Sequence, residues 1–222
     1  MLIVFDLDGT LVDSRADIVC ATNHALLEHG RPGLPDELVT SFIGDGARTL
    51  MARAAGLRED DARLEPFLQA FLDYYAAHAV VHTTLVPGAI AVLDTLAAGL
   101  PLALCTNKPR QTTLRVLDAL GLRGYFAALS AGGDQAQKKP DPEPLLALGE
   151  RLGFAPGDMV LVGDGPQDIE CARRAGARSV GVAGNIAPRA LLERARPDAL
   201  LEEIRALPGL LHRWRNVHAT SR

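Results

Sequence analysis

Lysine is nearly absent from this chain: of 23 basic residues only Lys108, Lys138 and Lys139 are lysines, and the rest are arginine. A residue type used so sparingly, with two of its three copies adjacent and followed by Pro140, calls for a local reason. Positive charge is also in deficit overall, with 23 Lys+Arg against 27 Asp+Glu and a formal net charge of -4. No global basic field exists to grip a nucleic-acid backbone, so nucleic acid is not an expected partner. Cysteine is scarce. Cys20, Cys105 and Cys171 are odd in number, far apart and without a CxxC pair, which argues against a disulfide framework and reads as reduced, mostly packed thiols in a cytoplasmic protein. No apolar run approaches the ~20 residues that cross a bilayer, so no membrane role is expected. The apolar start Met1–Phe5 meets Asp6 at once with no basic lead-in, unlike a signal peptide. Internal repeats and low-complexity stretches are lacking.

What remains is an ordinary globular composition, 48% hydrophobic and 23% charged over 222 residues, enough for one large domain or a domain with a modest insertion. Short apolar runs at Leu2–Phe5, Leu102–Cys105, Met159–Val162 and Ser179–Val182, and more weakly at Tyr125–Ser130, suit strands buried on both faces. Between them lie helical patterns at Gly88–Ala98, Arg110–Leu120, Pro144–Leu152 and Gln167–Ala175, and Gly121, Gly153 and Gly176 stand where the last three should stop. Strands alternating with three-turn helices imply βαβ units with right-handed crossovers. From about Ser14 to Thr84 the rhythm breaks: helical patterns at Asp17–His29, Ala47–Ala55 and Glu65–Val81 follow one another without a strand. The expected fold is therefore α/β, a doubly wound, Rossmann-like, mostly parallel sheet formed by residues 1–13 and 85–222, with an inserted α-helical module at 14–84. Hinges are expected near Asp13-Ser14 and Val86-Pro87-Gly88, and the Arg- and His-rich end after about Leu211 is expected to fray.

In such a sheet, ligands bind beyond the carboxyl ends of the strands. The residues delivered there are Asp6 and Asp8, then Thr106 and Asn107, then Lys139, then Asp164 and Asp168. Three or four carboxylates crowd one rim beside a hydroxyl and a lysine, which is unfavourable without a cation. All-oxygen ligands with few protein contacts suit Mg²⁺, and a divalent ion beside an ammonium makes a pocket for a phosphoryl group. Residues two apart on an extended segment point the same way, so Asp6 can attack phosphorus while Asp8 shuttles a proton.

Phe5-Asp6-Leu7-Asp8-Gly9-Thr10-Leu11-Val12-Asp13-Ser14 resembles the first motif of the haloacid dehalogenase superfamily. Thr106 matches the second motif, Lys139 in Lys-Pro-Asp-Pro-Glu-Pro the third, and Val162-Gly163-Asp164-Gly165-Pro166-Gln167-Asp168 the fourth, in the right order. The second aspartate separates phosphohydrolases from dehalogenases, which lack it. The resemblance implies that Asp6 forms an aspartyl-phosphate and Asp8 acts as general acid and then base. It places Mg²⁺ between the Asp6 carboxylate, the Asp8 backbone carbonyl and Asp164, with Thr106, Lys139 and backbone N–H groups near Leu7 and Asn107 on the phosphoryl oxygens. It makes Asp168 a supporting residue that orients a metal water or Lys139. Gly165 departs from the serine that relatives often carry there, which costs a hydroxyl but no ligand.

The insertion resembles the helical cap of one subclass. Within Ile43-Gly44-Asp45-Gly46-Ala47-Arg48-Thr49-Leu50, Gly44 and Gly46 allow a close backbone approach, and a helix N-terminus with Arg48 favours an anion. With Thr106-Asn107-Lys108-Pro109, this stretch resembles the phosphoglycolate phosphatase branch, which implies a small phosphorylated metabolite as partner; a monomer and a homodimer both remain open. Sugar-phosphate and pyrophosphate hydrolases share much of the pattern, and a β-phosphoglucomutase-like phosphosugar mutase is the alternative within the subclass. A phospho-accepting receiver module also pairs aspartates with Thr and Lys, but it has neither the insertion nor the second aspartate. Lys138 is expected to be solvated surface charge, and Lys108 either that or a substrate contact. His78 and His82, four apart with no Glu or Cys nearby, are expected to be packed or exposed and not zinc ligands. Phe67, Phe71, Tyr74 and Tyr75 are expected to form the insertion's own core.

Overall fold

Runs of Leu, Ile, Val and Ala too short for helices become strands when both faces of a sheet are covered, and six such runs here form one parallel sheet. The computed structural model describes residues 1–183 and 186–219, the last three as backbone. In chain order, β1 (Leu2–Phe5) and β2 (Val12–Asp13) precede the helices α1 (Arg15–Glu28), α2 (Asp36–Thr40), α3 (Ala47–Ala55) and α4 (Leu64–His78). Then come β3 (Thr84–Leu85), α5 (Ala89–Ala97), β4 (Leu102–Pro109), α6 (Arg110–Ala119), β5 (Ala128–Gly132) and α7 (Glu143–Leu152). The chain ends with β6 (Met159–Gly163), α8 (Pro166–Ala175), β7 (Arg178–Val182), α9 (Arg189–Ala195), β8 (Ala199–Leu201) and α10 (Leu207–Ala219).

The sheet order is β5-β4-β1-β6-β7-β8 with every neighbouring pair parallel. From the central β1 the chain first builds outward through β4 and β5, then crosses over and builds through β6, β7 and β8. The reversal beside β1 leaves a crevice at the carboxyl ends of β1, β4 and β6, where such folds bind ligands. All four residues of β1 are buried, as the apolar run required. The expected glycine stops hold: Gly121, Gly153 and Gly176 all have positive φ, where a Cβ would be strained.

The insertion is helical between β2 and β3, and its neck is a pair of two-residue antiparallel strands, Val12 opposite Leu85 and Asp13 opposite Thr84. Strands this short leave no periodic trace in the sequence. Above the neck, the buried Asp17 carboxylate accepts the backbone N–H groups of Val81, His82 and Thr83 and the Thr83 hydroxyl at 2.7–3.1 Å. This ties α1 to the segment that leaves the insertion. The module's core contains Leu26, Met51, Leu64, Phe67, Phe71 and Tyr75. Tyr74 lies instead at its edge, stacked between His24 and His78 with ring centroids 4.1 Å apart on each side. His78 and His82 form no metal cluster among the described residues.

Two expectations need correction, and two short elements carried no signal. The chain after Leu211 does not fray at once: α10 runs to Ala219, with Leu207, Leu210 and Leu211 buried and the Arg178 guanidinium 5.1 Å from the Trp214 ring centroid. The weak fifth strand starts at Ala128, because Arg123–Tyr125 is a 3₁₀ turn. β8 and α9 went unnoticed, being only three and seven residues long. Among the described residues no helix is long and apolar enough to cross a membrane.

Candidate active site

Asp6 is the first residue past β1, and its backbone N–H donates to Val162 O of β6 at 2.8 Å. That bond carries the strand geometry one residue further and fixes the buried carboxylate at the crevice floor. The chain then turns tightly, with Gly9 N–H bonded to Val12 O at 2.7 Å. Gly9 has φ +83°, and a Cβ on it would lie 2.1 Å from Asp164 Oδ2. Only glycine allows the turn to rest against the carboxylate that follows β6, which also takes the Thr10 hydroxyl at 3.3 Å.

Lys139 reaches under this floor from the loop between β5 and α7. Its ammonium donates to Asp6 Oδ1 at 2.8 Å, Asp168 Oδ1 at 2.5 Å and the Cys105 carbonyl at 2.7 Å. An ammonium has three donors, so all are engaged within the protein. In this arrangement Lys139 holds Asp6 Oδ1 in place at the crevice floor. Asp168 sits behind it, with Oδ2 accepting the Gly165 N–H at 3.1 Å.

The electrostatics identify what the cluster lacks. Atoms of Asp6, Asp164 and Asp168 lie within 4.8 Å of one another, all buried, and Lys139 alone among these groups is cationic. Burial pushes the Asp6 carboxyl up to about 6, with Lys139 pulling it down and Asp168 pushing it further up. Asp164 is driven well above the usual carboxylate range by burial and by Asp6 and Asp168. Lys139 loses charge stability to burial but is raised well above the ordinary lysine value by Asp168 and Asp6. Three buried carboxylates against one ammonium fit a hard divalent cation held by oxygen alone.

Asp8, two residues past Asp6, faces the insertion. Its Oδ1 accepts both the Ser14 hydroxyl at 2.6 Å and the Lys108 ammonium at 2.8 Å. Among the described residues its Oδ2 has no side-chain partner, so one oxygen is anchored and the other is left for proton transfer. The expected metal contact of Asp8 is through its backbone carbonyl, and its carboxylate lies outside the acidic cluster. On β4, the buried Thr106 Oγ1 accepts the Lys108 N–H at 3.2 Å and keeps its own proton to donate. The Asn107 side chain donates to Gly44 O at 2.9 Å and Lys139 O at 2.8 Å and accepts Lys139 N–H at 2.9 Å. It is thereby committed to binding the loop of the insertion to the Lys139 loop, and any phosphate contact by Asn107 falls to its backbone.

Gly44 and Gly46 do line the cavity over Asp6 and Asp8, with the walls above supplied by Ile18, Ile43, Leu50, Phe71 and Tyr75. The cavity itself is small, about 40 Å³, the room of a few waters. Arg48 does not join it. Its guanidinium turns outward to the Glu59 backbone carbonyl and the Glu65 carboxylate. Lys138 is also not free surface charge: its ammonium donates to Asp45 O and Thr49 Oγ1, each at 2.6 Å, across the gap to the insertion. Each lysine of the chain thus has a task around the site: Lys108 lines the cavity, Lys139 holds Asp6 and Lys138 ties the Lys139 loop to the insertion. Sequence reasoning also missed Ser14 on Asp8 and the Tyr75 hydroxyl on Lys108. Ser14 stood within the first motif, whereas nothing in the sequence marked Tyr75 apart from its aromatic neighbours.

The family model for haloacid dehalogenase-like hydrolases matches residues 3–182 of the chain. The chain is 36% identical over 214 residues to a phosphoglycolate phosphatase of Agrobacterium fabrum, covering 95% of this chain and 91% of that protein. It is 38% identical over 230 residues to a phosphoglycolate phosphatase of Escherichia coli O157:H7, covering 94% and 91%. A crystal structure of a predicted phosphoglycolate phosphatase of Haemophilus somnus 129pt superposes with a TM-score of 0.87 at 30% identity, covering 95% of this chain and 97% of that one.

Proposed function

The chain belongs to the haloacid dehalogenase-like hydrolase family, and we propose that it is a Mg²⁺-dependent phosphomonoesterase acting on 2-phosphoglycolate or a closely similar small phosphocarboxylate. The observation that carries this reading is the convergence of Asp6, Lys139, Asp164 and Asp168 beneath a cavity into which Asp8 and Thr106 also open. The names of the relatives supply the substrate; the site supplies the chemistry.

Asp6, held through Oδ1 by Lys139, attacks phosphorus with a carboxylate oxygen, and the ester P–O bond breaks as the new one forms. The departing alkoxide takes a proton from Asp8, whose anchored Oδ1 leaves Oδ2 to deliver it. Water then attacks the phosphorus of the aspartyl-phosphate, Asp8 recovers the proton, and the Asp6 carboxylate and inorganic phosphate separate. The Thr106 hydroxyl donates to a phosphoryl oxygen throughout. Asp6, Asp164 and the Asp8 carbonyl would hold Mg²⁺, which when bound neutralises charge on the transferring phosphoryl group. Asp168 acts by holding Lys139 and the Gly165 backbone, a supporting part of the kind that fixes a site's geometry.

We assign residues 14–84 the part of a cap on the core formed by 1–13 and 85–222. The Asp13–Thr84 neck, the Asn107–Gly44 bond and the Lys138–Thr49 bond support a closed position that keeps bulk water from the cavity. Two buried, unpaired cysteines fit a reducing cytoplasm.

The test is phosphate release from a panel of phosphorylated metabolites, with and without chelator, for the wild type and for Asp6→Asn. Metal-dependent release greatest for 2-phosphoglycolate, and lost in Asp6→Asn with the fold intact, is the expected result. Isomerisation of a hexose phosphate without phosphate release would place the chain with the mutases instead.

A further inference from the structure

With Arg48 turned away, the carboxylate end of a phosphocarboxylate has no assigned partner. Among the residues lining the cavity beside Asp6 and Asp8, one is cationic: Lys108. A lysine here is costly, since its side chain is 1% exposed and the cap-side walls are apolar. Two of its three ammonium donors are used, one by Asp8 Oδ1 at 2.8 Å and one by the Tyr75 hydroxyl. The third is unassigned, and the ammonium also rests 4.6 Å from the Tyr75 ring centroid. Tyr75 accepts from Lys108, so its own proton is available to a further acceptor. Burial holds that phenol up to about 12, protonated at neutral pH.

We propose that Lys108 and the Tyr75 hydroxyl together form the specificity pocket for the substrate's carboxylate. The proposal rests on the phosphomonoesterase reading of the same site and names the residues that choose the substrate. Its geometry follows from position. Thr106 and Lys108 both line the cavity from β4, and the Lys108 ammonium spans from Asp8 on the core side to Tyr75 of α4. A substrate with its phosphorus over Asp6 and only two carbons beyond the ester oxygen reaches no further than this cap-side wall. Asp6 lines the same cavity, with Asp164 and Asp168 behind it, so a further anion entering without Lys108 meets an acidic surround. Lys108 supplies the positive charge that receives the incoming carboxylate. Tyr75 comes from α4, so the pocket is complete only with the cap down, and the substrate's own charge then helps hold the cap closed.

The experiment separates reading the carboxylate from merely positioning Asp8. Binding of 3-phosphonopropionate, in which a CH₂ replaces the ester oxygen, is compared by calorimetry with binding of propylphosphonate, which lacks the carboxylate. The proteins are wild type, Lys108→Met and Tyr75→Phe, each with Mg²⁺. Wild type should prefer the carboxylated ligand by about 10- to 100-fold, as expected for hydrogen bonds to a charged group. Lys108→Met should abolish that preference, and Tyr75→Phe should reduce it severalfold while the ring is kept. Should the Met variant fail to fold, Lys108→Gln, which keeps a donor toward Asp8 and Tyr75, is expected to lose most of the preference. A preference unchanged in both Lys108 variants overturns the proposal and leaves Lys108 acting on Asp8 alone, with the phosphoglycolate reading intact. No preference in the wild type overturns the phosphocarboxylate reading itself and the proposal with it.

Discussion

The Lys138 ammonium lies 2.6 Å from the Thr49 hydroxyl, joining the loop that carries Lys139 to the first turn of α3 in the cap. One residue along the backbone from a lysine that orients Asp6, the same loop therefore also holds the cap. The side chain is 43% exposed and its approach to Glu59 at 3.8 Å is solvent-screened, so the ion pair adds little. The two hydrogen bonds to Asp45 O and Thr49 matter more, at about 1 kcal/mol each. Lys138→Ala should lower kcat/KM about 5- to 30-fold through reduced occupancy of the closed state, with little change in Tm. Hydrogen exchange across residues 44–50 should quicken in parallel. An unchanged exchange rate there would remove Lys138 from cap closure.

Ser14 and Lys108 both grip Asp8 Oδ1, at 2.6 and 2.8 Å. Asp8→Asn retains the shape but cannot exchange a proton, and turnover should fall by about 10²–10⁴-fold, the usual worth of general acid–base catalysis. Ser14→Ala leaves the carboxylate chemically intact but freer to rotate, so its expected loss is far smaller, about tenfold, and falls in kcat more than in KM. The comparison is read by steady-state kinetics on an ester with a poor leaving group, where protonation of the alkoxide is most needed. Equal losses in the two variants would mean that Ser14 does more than position Asp8.

The central strands and the floor of the site were legible because the apolar runs of β1, β4 and β6 each give way to a polar residue. Asp6 after Phe5, Thr106 after Cys105 and Asp164 after Gly163 are punctuation in the sequence as well as in space. The cap side was not legible in that way. Arg48 follows two glycines at a helix start, which is the pattern for an anion site, yet the Glu65 carboxylate and the Glu59 backbone carbonyl capture its guanidinium. Local pattern cannot foresee which of several carboxylates a long side chain will meet. Lys138 was misread for the same reason: its partners, Asp45 and Thr49, are about ninety residues away in the chain. The neck between β2 and β3 is two residues wide on each strand and has no period to detect.

Asp17 takes three backbone N–H groups and one hydroxyl from Val81–Thr83 while being only 2% exposed. Asp17→Ala removes the acceptor of three backbone N–H groups, while the Thr83 hydroxyl can turn to Ala79 O, and each N–H left where water cannot reach it costs about 1–3 kcal/mol. Partial relaxation keeps the sum below simple addition, so an overall destabilisation of about 2–5 kcal/mol is expected in urea titration. Asp17→Asn keeps one acceptor oxygen and should recover roughly half of that. Because the bonds sit at the base of the cap, the alanine variant should also show fast hydrogen exchange at 81–83 under native conditions. Protection there equal to wild type would show that the segment is held by other contacts.

Removal of the metal should make the stability of this protein depend on pH in a direction set by its buried carboxylates. Asp6 is raised to about 6 and Asp164 well above the usual range, chiefly by burial. In the unfolded chain both titrate near 4. Between these values the folded state binds more protons than the unfolded state, so stability falls as pH rises from about 4 through 6 and beyond. Lys139, raised by Asp168 and Asp6 against its burial, remains protonated across that window and does not alter the sign. A divalent cation offsets the uncovered charge, and at a hundred times its Kd it stabilises by about 2.7 kcal/mol. The gap in Tm between protein with Mg²⁺ and protein with chelator should therefore be small at pH 5 and wide at pH 8. Asp164→Asn removes one of the repelling charges together with a ligand. It should raise the Tm of the metal-free protein at pH 8 and erase most of its response to Mg²⁺. A Tm gap independent of pH would mean that the carboxylates are already balanced by protein groups, and the need for a cation at this floor would lose its physical basis.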